Sequence, residues 1–318
     1  MVGRQLKSKE SEDQSLNADR RPLLLSHRIL RAWPLPQPDE AGDKEARGRV
    51  LVVGGAPEMP GALILAATAA LRAGAGKLQI ATCGSIAQAV GVAVPEARVF
   101  AMPETKAGGI AASAAHAIAE RANDAQAILV GPGMVDEKAI VRLLKDLLPR
   151  ICGPTVLLDA GALACLTQDR RCLHGLNNRV VLTPHAGEMA MLTGVDKDEI
   201  AKEPIGIARA AALELRAVVA LKGAETFIVA PTSSKTYCNR TGNVGLATSG
   251  SGDTLSGIIA GLAARGAQPL QAAAWGVYLH ARAGDLLARK MGRLGYLARE
   301  LLAEVPRLMS ELDGRKKR

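Results

Sequence analysis

The sequence predicts an α/β fold with a mostly parallel central sheet that helices cover on both faces. Short, continuous runs of Val, Ile and Leu alternate with longer segments of helical periodicity, which is the pattern of buried parallel strands joined by crossover helices. Of the 318 residues 48% are hydrophobic but only 2% are aromatic, so small side chains must fill the core and let backbones approach closely.

The predicted elements follow one another in a regular order. After a short helix near SHRILRAW, a buried strand is expected at RVLVV and a glycine-closed helix at GALILAATAALRAGAG. Further strands are expected at KLQIAT, AQAILVG, TVLLDAG, RVVLTPH and AVVALKG, and the strands TFIVAP and KTYCN are close enough to form a hairpin. Helices follow at DTLSGIIAGLAARG, from Pro269 to about Met291, and over residues 297–312.

Three parts of the chain are predicted: a disordered or irregular leader over 1–27, a single domain over 28–312, and a basic tail over 313–318. The tail carries four of the positive charges behind the formal net charge of +9, and the others are scattered. With two Phe, two Trp and three Tyr there is no aromatic platform to stack bases. We therefore expect no nucleic-acid partner, and a net charge that attracts anionic small molecules.

The cysteines and the apolar segments indicate the compartment. The five cysteines form no CxxC pair and no zinc-type spacing, which is typical of reduced thiols. The N-terminus lacks the pattern of a secretory signal, and the apolar run near 61–73 is too short to span a bilayer. A soluble, cytoplasmic protein without a membrane partner is expected.

Glycine-rich or polar clusters follow four of the predicted strands. They are GGAPEMPG, GPGM, TPHAGE and KGAET. Ligands of such sheets bind outside the carboxyl ends of the strands, so the four clusters predict one common binding edge.

The stretch SGSGD, residues 249–253, opens the helix after the hairpin. Glycines allow backbone amides to point at an anion, serine hydroxyls add donors, and the helix contributes its positive end. We call the four residues suited to a phosphoryl group the anion nest: Ser249, Gly250, Ser251 and Gly252. Asp253 would lie beside a transferring phosphate and accept a hydroxyl proton, although an Asp here is equally well explained as a helix N-cap.

Three further residues keep two interpretations each. His185, with Glu188 three residues on, either presents a donor to the cleft or packs and caps a helix. Lys222 either reaches an anion or is an exposed turn lysine, and Asp159 either orders water or magnesium or completes a turn. Neither GxxxxGK[ST] nor a Rossmann glycine motif in its proper context is present, which argues against a P-loop hydrolase and a redox NAD enzyme.

These segments in this order resemble one family, the ADP-dependent (S)-NAD(P)H-hydrate dehydratases of the ribokinase-like superfamily. The resemblance covers roughly residues 28–310 and includes AAAWGVYLHARAGDLLA and LARELLAEVP near the end. It implies a three-layer α/β/α sandwich and a repair enzyme that phosphorylates the ring hydroxyl of NADH or NADPH hydrate and then eliminates phosphate. It also implies ADP or ATP as co-substrate, Mg²⁺, a homotetramer, and a separate epimerase acting in the same pathway.

The resemblance also implies the roles of single residues. Ala62, Gly133 and His185 are expected to contact the hydrate, and Asp253 is expected to touch its hydroxyl and act as base. The residues expected to hold the nucleotide are Lys222, Gly223, Ala224, Glu225, Thr226 and Gly252. No residue is assigned directly to the metal.

Three positions depart from the family pattern. Gly161 replaces the second Asp of DADAL, Ala186 replaces the Pro of TPHPGE, and Val135 replaces the last Gly of GPGLG. Two competing functions therefore remain open. One is a ribokinase-like kinase of a small hydroxylated metabolite or vitamin precursor, and the other is a non-catalytic nucleotide-binding relative.

Overall fold

A computed structural model describes residues 21–37, 45 and 47–313, and its centre is a sheet of ten strands. The strands are β1 (Leu23–Leu24), β2 (Arg49–Val53), β3 (Lys77–Cys83), β4 (Ala97–Met102), β5 (Ala127–Val130), β6 (Thr155–Leu158), β7 (Val180–Leu182), β8 (Val218–Leu221), β9 (Thr226–Val229) and β10 (Tyr237–Asn239). Their order across the sheet is β1-β10-β9-β8-β7-β6-β5-β2-β3-β4. The carboxyl ends of β5 to β8 therefore lie next to one another.

The sheet is mostly parallel, which confirms the predicted fold class. Every neighbouring pair from β4 to β8 is parallel, and only β9 runs against its neighbours. Strands β9 and β10 pair antiparallel, so the predicted hairpin is confirmed. The central strands are buried on both sides along their length, which explains why they appear in the sequence as continuous aliphatic runs.

Helices cover the sheet. They are α1 (His27–Arg31), α2 (Pro60–Arg72), α3 (Ala87–Ala93), α4 (Ala115–Asn123), α5 (Glu137–Leu147), α6 (Cys165–Gln168), α7 (Ala186–Thr193), α8 (Lys197–Lys202), α9 (Pro204–Leu215), α10 (Ser251–Ala264), α11 (Pro269–Met291) and α12 (Ala298–Asp313). Helices α2, α10, α11 and α12 pack on one another, and α4 to α7 form a second group. Among the described residues, no helix is long and apolar enough to cross a membrane.

Helix α10 packs so closely on α2 that their backbones are in contact. A Cβ built on Gly257 would approach the carbonyl oxygen of Ala66 to 2.2 Å, and one on Gly261 would approach that of Ala70 to the same distance. Any side chain at either position would overlap a backbone atom of α2. The two glycines, four residues apart on one face of α10, therefore fix the distance between the helices.

Two strands differ from the sequence-based expectation. Strand β4 was not predicted, because this edge strand is only partly buried and its pattern is weaker than that of the central strands. Strand β1 lies inside the segment 1–27 that was expected to be irregular, where it pairs with β10. The described part of the expected leader, residues 21–27, thus contains a strand, while residues 1–20 and 314–318 lie outside the described residues.

The segment after β1 packs on the end of the sheet. The ring of Trp33 stacks on Tyr237 of β10 with 5.4 Å between centroids. The carbonyl oxygen of Trp33 accepts hydrogen bonds from Trp275 Nε1 (2.9 Å) and Gln271 Nε2 (3.2 Å), both on α11. The segment after β1 is thus attached to α11, the helix whose His280 contacts Ser251.

Candidate active site

The loops after β6, β7 and β8 meet at the carboxyl edge of the sheet. Asp159 directly follows β6, and a parallel bridge joins His185, after β7, to Lys222, after β8. The Lys222 N–H donates to the carbonyl oxygen of Pro184 at 2.8 Å. Three of the candidate residues therefore lie side by side, on the edge where the sequence pattern places a ligand.

Lys222 is the centre of a network of charges. Its Nζ lies 3.2 Å from Asp159 Oδ1 and 3.7 Å from Glu188 Oε2. Thr183 Oγ1 donates to the same Asp159 oxygen at 2.6 Å. Burial alone would lower the pKa of Lys222, but the carboxylates of Asp159 and Glu188 outweigh it and the pKa is raised. Lys222 is therefore a charged, partly buried site residue and not an exposed turn lysine.

Asp253 is the third residue of α10 and faces this network. Gly250, and not Asp253, occupies the N-cap position of the helix, so the N-cap interpretation of Asp253 is wrong. Burial raises the pKa of Asp253 to about 6, and the negative charge of Asp159 adds to the rise, while Lys222 opposes it. A carboxyl group with a pKa near neutrality is suited to accept and release a proton.

The anion nest lies next to Lys222. A Cβ built on Gly252 would be 3.6 Å from Lys222 Nζ, so the ammonium and the first turn of α10 face one another. No hydrogen bond within the described chain uses the Gly252 N–H, which leaves this donor for an anion. Gly250 has a φ of +83°, and a side chain there would meet Leu65 of α2.

The two serines of the nest differ in their surroundings. Ser249 is exposed, whereas Ser251 is buried. The hydroxyl of Ser251 lies 3.0 Å from Nε2 of the buried His280, and its N–H donates to the carbonyl oxygen of Thr248. Both the hydroxyl and the N–H of Ser251 therefore bind within the protein, whereas the sequence predicted Ser251 as a donor to a bound anion.

His185 caps helix α7 and still exposes its ring. Its Nδ1 accepts hydrogen bonds from the backbone N–H groups of Gly187 (2.9 Å) and Glu188 (3.1 Å), while the Glu188 carboxylate accepts from the His185 N–H at 2.7 Å. This capping box places the proton of the neutral ring on Nε2. The side chain is 59% exposed, so capping and donation toward a ligand coexist. The helix starts at Ala186 despite the missing Pro.

Ala62 and Gly133 are neighbours although 71 positions separate them in the sequence. Gly133 has a φ of +71°, and a Cβ there would lie 2.4 Å from the carbonyl oxygen of Met59 and 3.3 Å from Ala62 Cβ. The loop after β5 thus rests on the start of α2. Gly133 is buried and Ala62 is half-buried, and the contact leaves no space for a side chain at position 133.

Gly161, one of the departures from the family pattern, lies against the loop that carries another, Val135. A Cβ built on Gly161 would lie 2.5 Å from the carbonyl oxygen of Met134 and 3.0 Å from Ile140 Cδ1. Met134 immediately precedes the departing Val135. The course of this loop therefore excludes a side chain at position 161, which accounts for the missing second Asp.

The remaining nucleotide candidates form the turn between β8 and β9. Gly223 and Ala224 are exposed, and Thr226 begins β9. The Glu225 carboxylate pairs with Arg240 Nε at 2.8 Å. The turn therefore offers an accessible backbone beside Lys222.

Sequence reasoning missed the role of three residues. Thr183 lies in TPHAGE, and the other two lie in LHARAGD: His280, which contacts Ser251, and Asp285, whose carboxylate accepts a hydrogen bond from the Gly242 N–H. The only signal in the sequence was that both motifs belong to the segments that resemble the family. The periodicity of an apolar helix does not show which distant residue a polar side chain on it will contact. Among the described residues, no group of three or more His, Cys, Asp or Glu side chains is placed to hold a metal ion.

Comparison with known proteins agrees with a nucleotide-dependent active site at this edge of the sheet. The family model of the NAD(P)H-hydrate dehydratases matches residues 50–307. This chain belongs to the NAD(P)H-hydrate dehydratase family. It is 47% identical over 285 residues to the ADP-dependent (S)-NAD(P)H-hydrate dehydratase of Xanthomonas campestris pv. campestris, covering 89% of this chain and 94% of that relative.

Other members of the NAD(P)H-hydrate dehydratase family and solved structures agree. A bifunctional NAD(P)H-hydrate repair enzyme of Moorella thermoacetica is 44% identical to this chain. The alignment covers 90% of this chain and 54% of the Moorella enzyme. The ADP/ATP-dependent NAD(P)H-hydrate dehydratase of Bacillus subtilis, co-crystallised with ATP and Mg²⁺, superposes with a TM-score of 0.75 at 30% identity, covering 92% of this chain and 99% of that one. A ribokinase-like superfamily protein of Enterococcus faecalis superposes with a TM-score of 0.77 at 26% identity, covering 91% and 96%.

Proposed function

We propose that this protein repairs the S epimer of NAD(P)H hydrate by ADP-dependent dehydration, releasing AMP and phosphate. Family membership supports this function, and one observation of the structure carries it. Asp253, a carboxylate whose pKa is raised to about 6, stands next to the free Gly252 N–H and faces the Lys222 ammonium. A proton acceptor and an anion-binding group are thus held within one turn of one helix.

The first step is phosphoryl transfer from ADP to the ring hydroxyl. The hydroxyl oxygen attacks the terminal phosphorus, the bond from that phosphorus to the bridging oxygen breaks, and AMP leaves with the bonding electrons. Asp253 takes the hydroxyl proton during the attack. The Lys222 ammonium and the Gly252 N–H stabilise the charge on the transferring phosphoryl group.

The second step is elimination. The C–O bond to phosphate breaks, assisted by the lone pair of the ring nitrogen, and the adjacent ring carbon gives a proton to the departing phosphate, which restores the double bond. Phosphate is a better leaving group than hydroxide, which is why phosphorylation precedes loss of the oxygen. We propose that Ala62, Gly133 and the exposed side chain of His185 line the place of the ring. The turn from Lys222 to Thr226, with Gly252, would hold the adenine nucleotide.

We propose that Mg²⁺ accompanies the nucleotide. Asp159 is occupied by Lys222 and Thr183, and the described residues form no cage of metal ligands. The magnesium ion would therefore bind chiefly to the phosphate oxygens of the nucleotide and to water, and it would neutralise phosphate charge there. We further propose a cytoplasmic homotetramer that acts after a separate epimerase.

The test uses NADH hydrate, ADP or ATP, and Mg²⁺, with the near-ultraviolet absorbance of reduced nicotinamide and phosphate release followed together. Wild-type protein should restore the absorbance, and the faster nucleotide identifies the donor. Asp253→Asn should lose about 10²-fold or more in turnover while its equilibrium binding of ADP changes little. Near-normal turnover of this variant would contradict the role of Asp253.

The same assay separates the competing functions. A ribokinase-like kinase would accumulate a stable phosphorylated product without restoring the absorbance. A non-catalytic relative would bind ADP and release no phosphate with either nucleotide.

A further inference from the structure

The segment from Thr241 to Asp253, which ends in the anion nest, is attached to helix α11 at both of its ends. At its start, the Gly242 N–H donates to Asp285 Oδ2 at 3.2 Å. At its end, Ser251 Oγ lies 3.0 Å from His280 Nε2. Asp285 and His280 both belong to the LHARAGD motif, which the proposed chemistry does not use. Helix α11 therefore contacts both ends of the loop whose N–H groups are proposed to bind phosphate.

Small residues bring α11 close enough for these contacts. A Cβ on Gly284 would lie 2.7 Å from Leu246 Cδ2, in the middle of the loop, and one on Gly276 would lie 2.4 Å from Ile259 Cγ1 of α10. A Cβ on Gly242 would lie 3.3 Å from Ala281 Cβ. The helix thus packs against the loop and against α10 without space for larger side chains.

The contact between His280 and Ser251 is enclosed. Burial lowers the pKa of His280 to about 4, so the imidazole is neutral at physiological pH. It is an uncharged hydrogen-bond partner, and it cannot serve as an exposed acid or base. Because Ser251 also donates its N–H to Thr248, the residue directly before Gly252 is held through both its side chain and its backbone.

We propose that His280 is a positioning residue for phosphoryl transfer, acting through Ser251 to hold the Gly252 N–H and the Asp253 carboxylate in their orientation toward the nucleotide phosphate. The proposal rests on the proposed function, since it assumes that this loop receives a phosphate. A positioned donor costs no reorganisation when the charge develops, so the hydrogen bond acts on binding and transfer together.

The experiment compares three variants with the wild-type protein. His280→Leu removes the hydrogen bond, and His280→Gln keeps a polar amide where Nε2 stands. Gln271→Leu is the matched control: Gln271 is also buried on α11, but its amide holds Trp33 and Pro34, away from the loop. Equilibrium binding of ADP, kcat and KM for the hydrate, and backbone hydrogen exchange of the peptide covering residues 242–254 are measured for each.

His280→Leu should weaken ADP binding about tenfold and speed hydrogen exchange in this peptide, while His280→Gln should recover ADP binding to within about threefold of wild type. The KM for the hydrate should change little in both, because Ser251 is buried and is not among the residues proposed to line the nicotinamide ring. Gln271→Leu should lower stability without altering ADP binding or exchange in the peptide.

Unchanged ADP affinity and unchanged exchange in His280→Leu would overturn the positioning role. Equal losses in His280→Leu and Gln271→Leu would also overturn it, because they would indicate general destabilisation of α11. If the wild-type protein binds no ADP, the proposed function fails, and hydrogen exchange in the unliganded variants still decides whether His280 holds the loop.

Discussion

Replacing Asp253 by Asn is expected to stabilise the unliganded protein at neutral pH. Burial and the neighbouring Asp159 raise the pKa of Asp253 from 3.8 to about 6. A group with a raised pKa in the folded state contributes stability that is complete below its unfolded pKa and is lost as the pH rises through its folded pKa. At pH 7 the ionised carboxylate therefore costs the fold about 3 kcal/mol, and we expect about 2 kcal/mol after allowing for its partial exposure.

The assay is urea denaturation of the two proteins at pH 5, 6 and 7, at one protein concentration and without nucleotide. The stability advantage of Asp253→Asn should grow by about 1 kcal/mol between pH 5 and pH 7, because the wild-type carboxyl loses its proton in this range only when folded. Any difference in packing between Asn and Asp is the same at every pH, so the growth is the decisive quantity. An advantage that stays constant, or that shrinks toward pH 7, would refute the raised pKa.

Two further predictions concern the charge of Asp159 and the space around Gly161. Below about pH 6 the kcat/KM of the wild-type protein should fall about tenfold per pH unit as Asp253 takes up its proton, and Asp159→Asn, which keeps an oxygen for Lys222 and Thr183 but removes a charge, should move this decline to lower pH. The nucleotide titrates identically in every variant, and Thr183→Val, which keeps the charge of Asp159, should leave the decline in place; an unmoved decline in Asp159→Asn contradicts the role of that charge. Gly161→Asp should be destabilised by about 2 kcal/mol or more in thermal denaturation because its Cβ would approach the Met134 carbonyl oxygen to 2.5 Å. Gly161→Ala should suffer a similar loss, and wild-type stability of both variants would show that the loop does not exclude a side chain.

The sequence predicted the parallel centre of the fold because β2, β5, β6, β7 and β8 are buried on both faces. Apart from the half-buried first residues Arg49 and Thr155, these strands are therefore continuous aliphatic runs. It failed where burial is partial or the element is short. Strand β4 exposes part of its length at the sheet edge, and β1 comprises two residues whose pairing with β10 depends on distant packing.

The candidate site was predictable where residues follow strands and not where side chains meet across the fold. Asp159, His185 and Lys222 could be placed on one edge from the strand pattern alone. The contact of Ser251 with His280 could not, since 29 positions separate them and both lie in apolar helical sequence. For the same reason the sequence gives no sign that Gly161 and Met134 compete for one space, or that Ser251 turns inward.

The glycine contacts between α10 and α2 restrict how the enzyme can move during turnover. Gly257 and Gly261 hold the helix that carries Asp253 against the backbone of α2, so that rocking this helix would either open voids or force atoms together. The carboxylate is consequently a stationary reference point. We expect the displacements that admit ADP and release AMP to fall on exposed surface segments such as the Gly223–Ala224 turn beside Lys222. On the role that we propose for Asp253, the substrates therefore move to a carboxylate that keeps its place against α2.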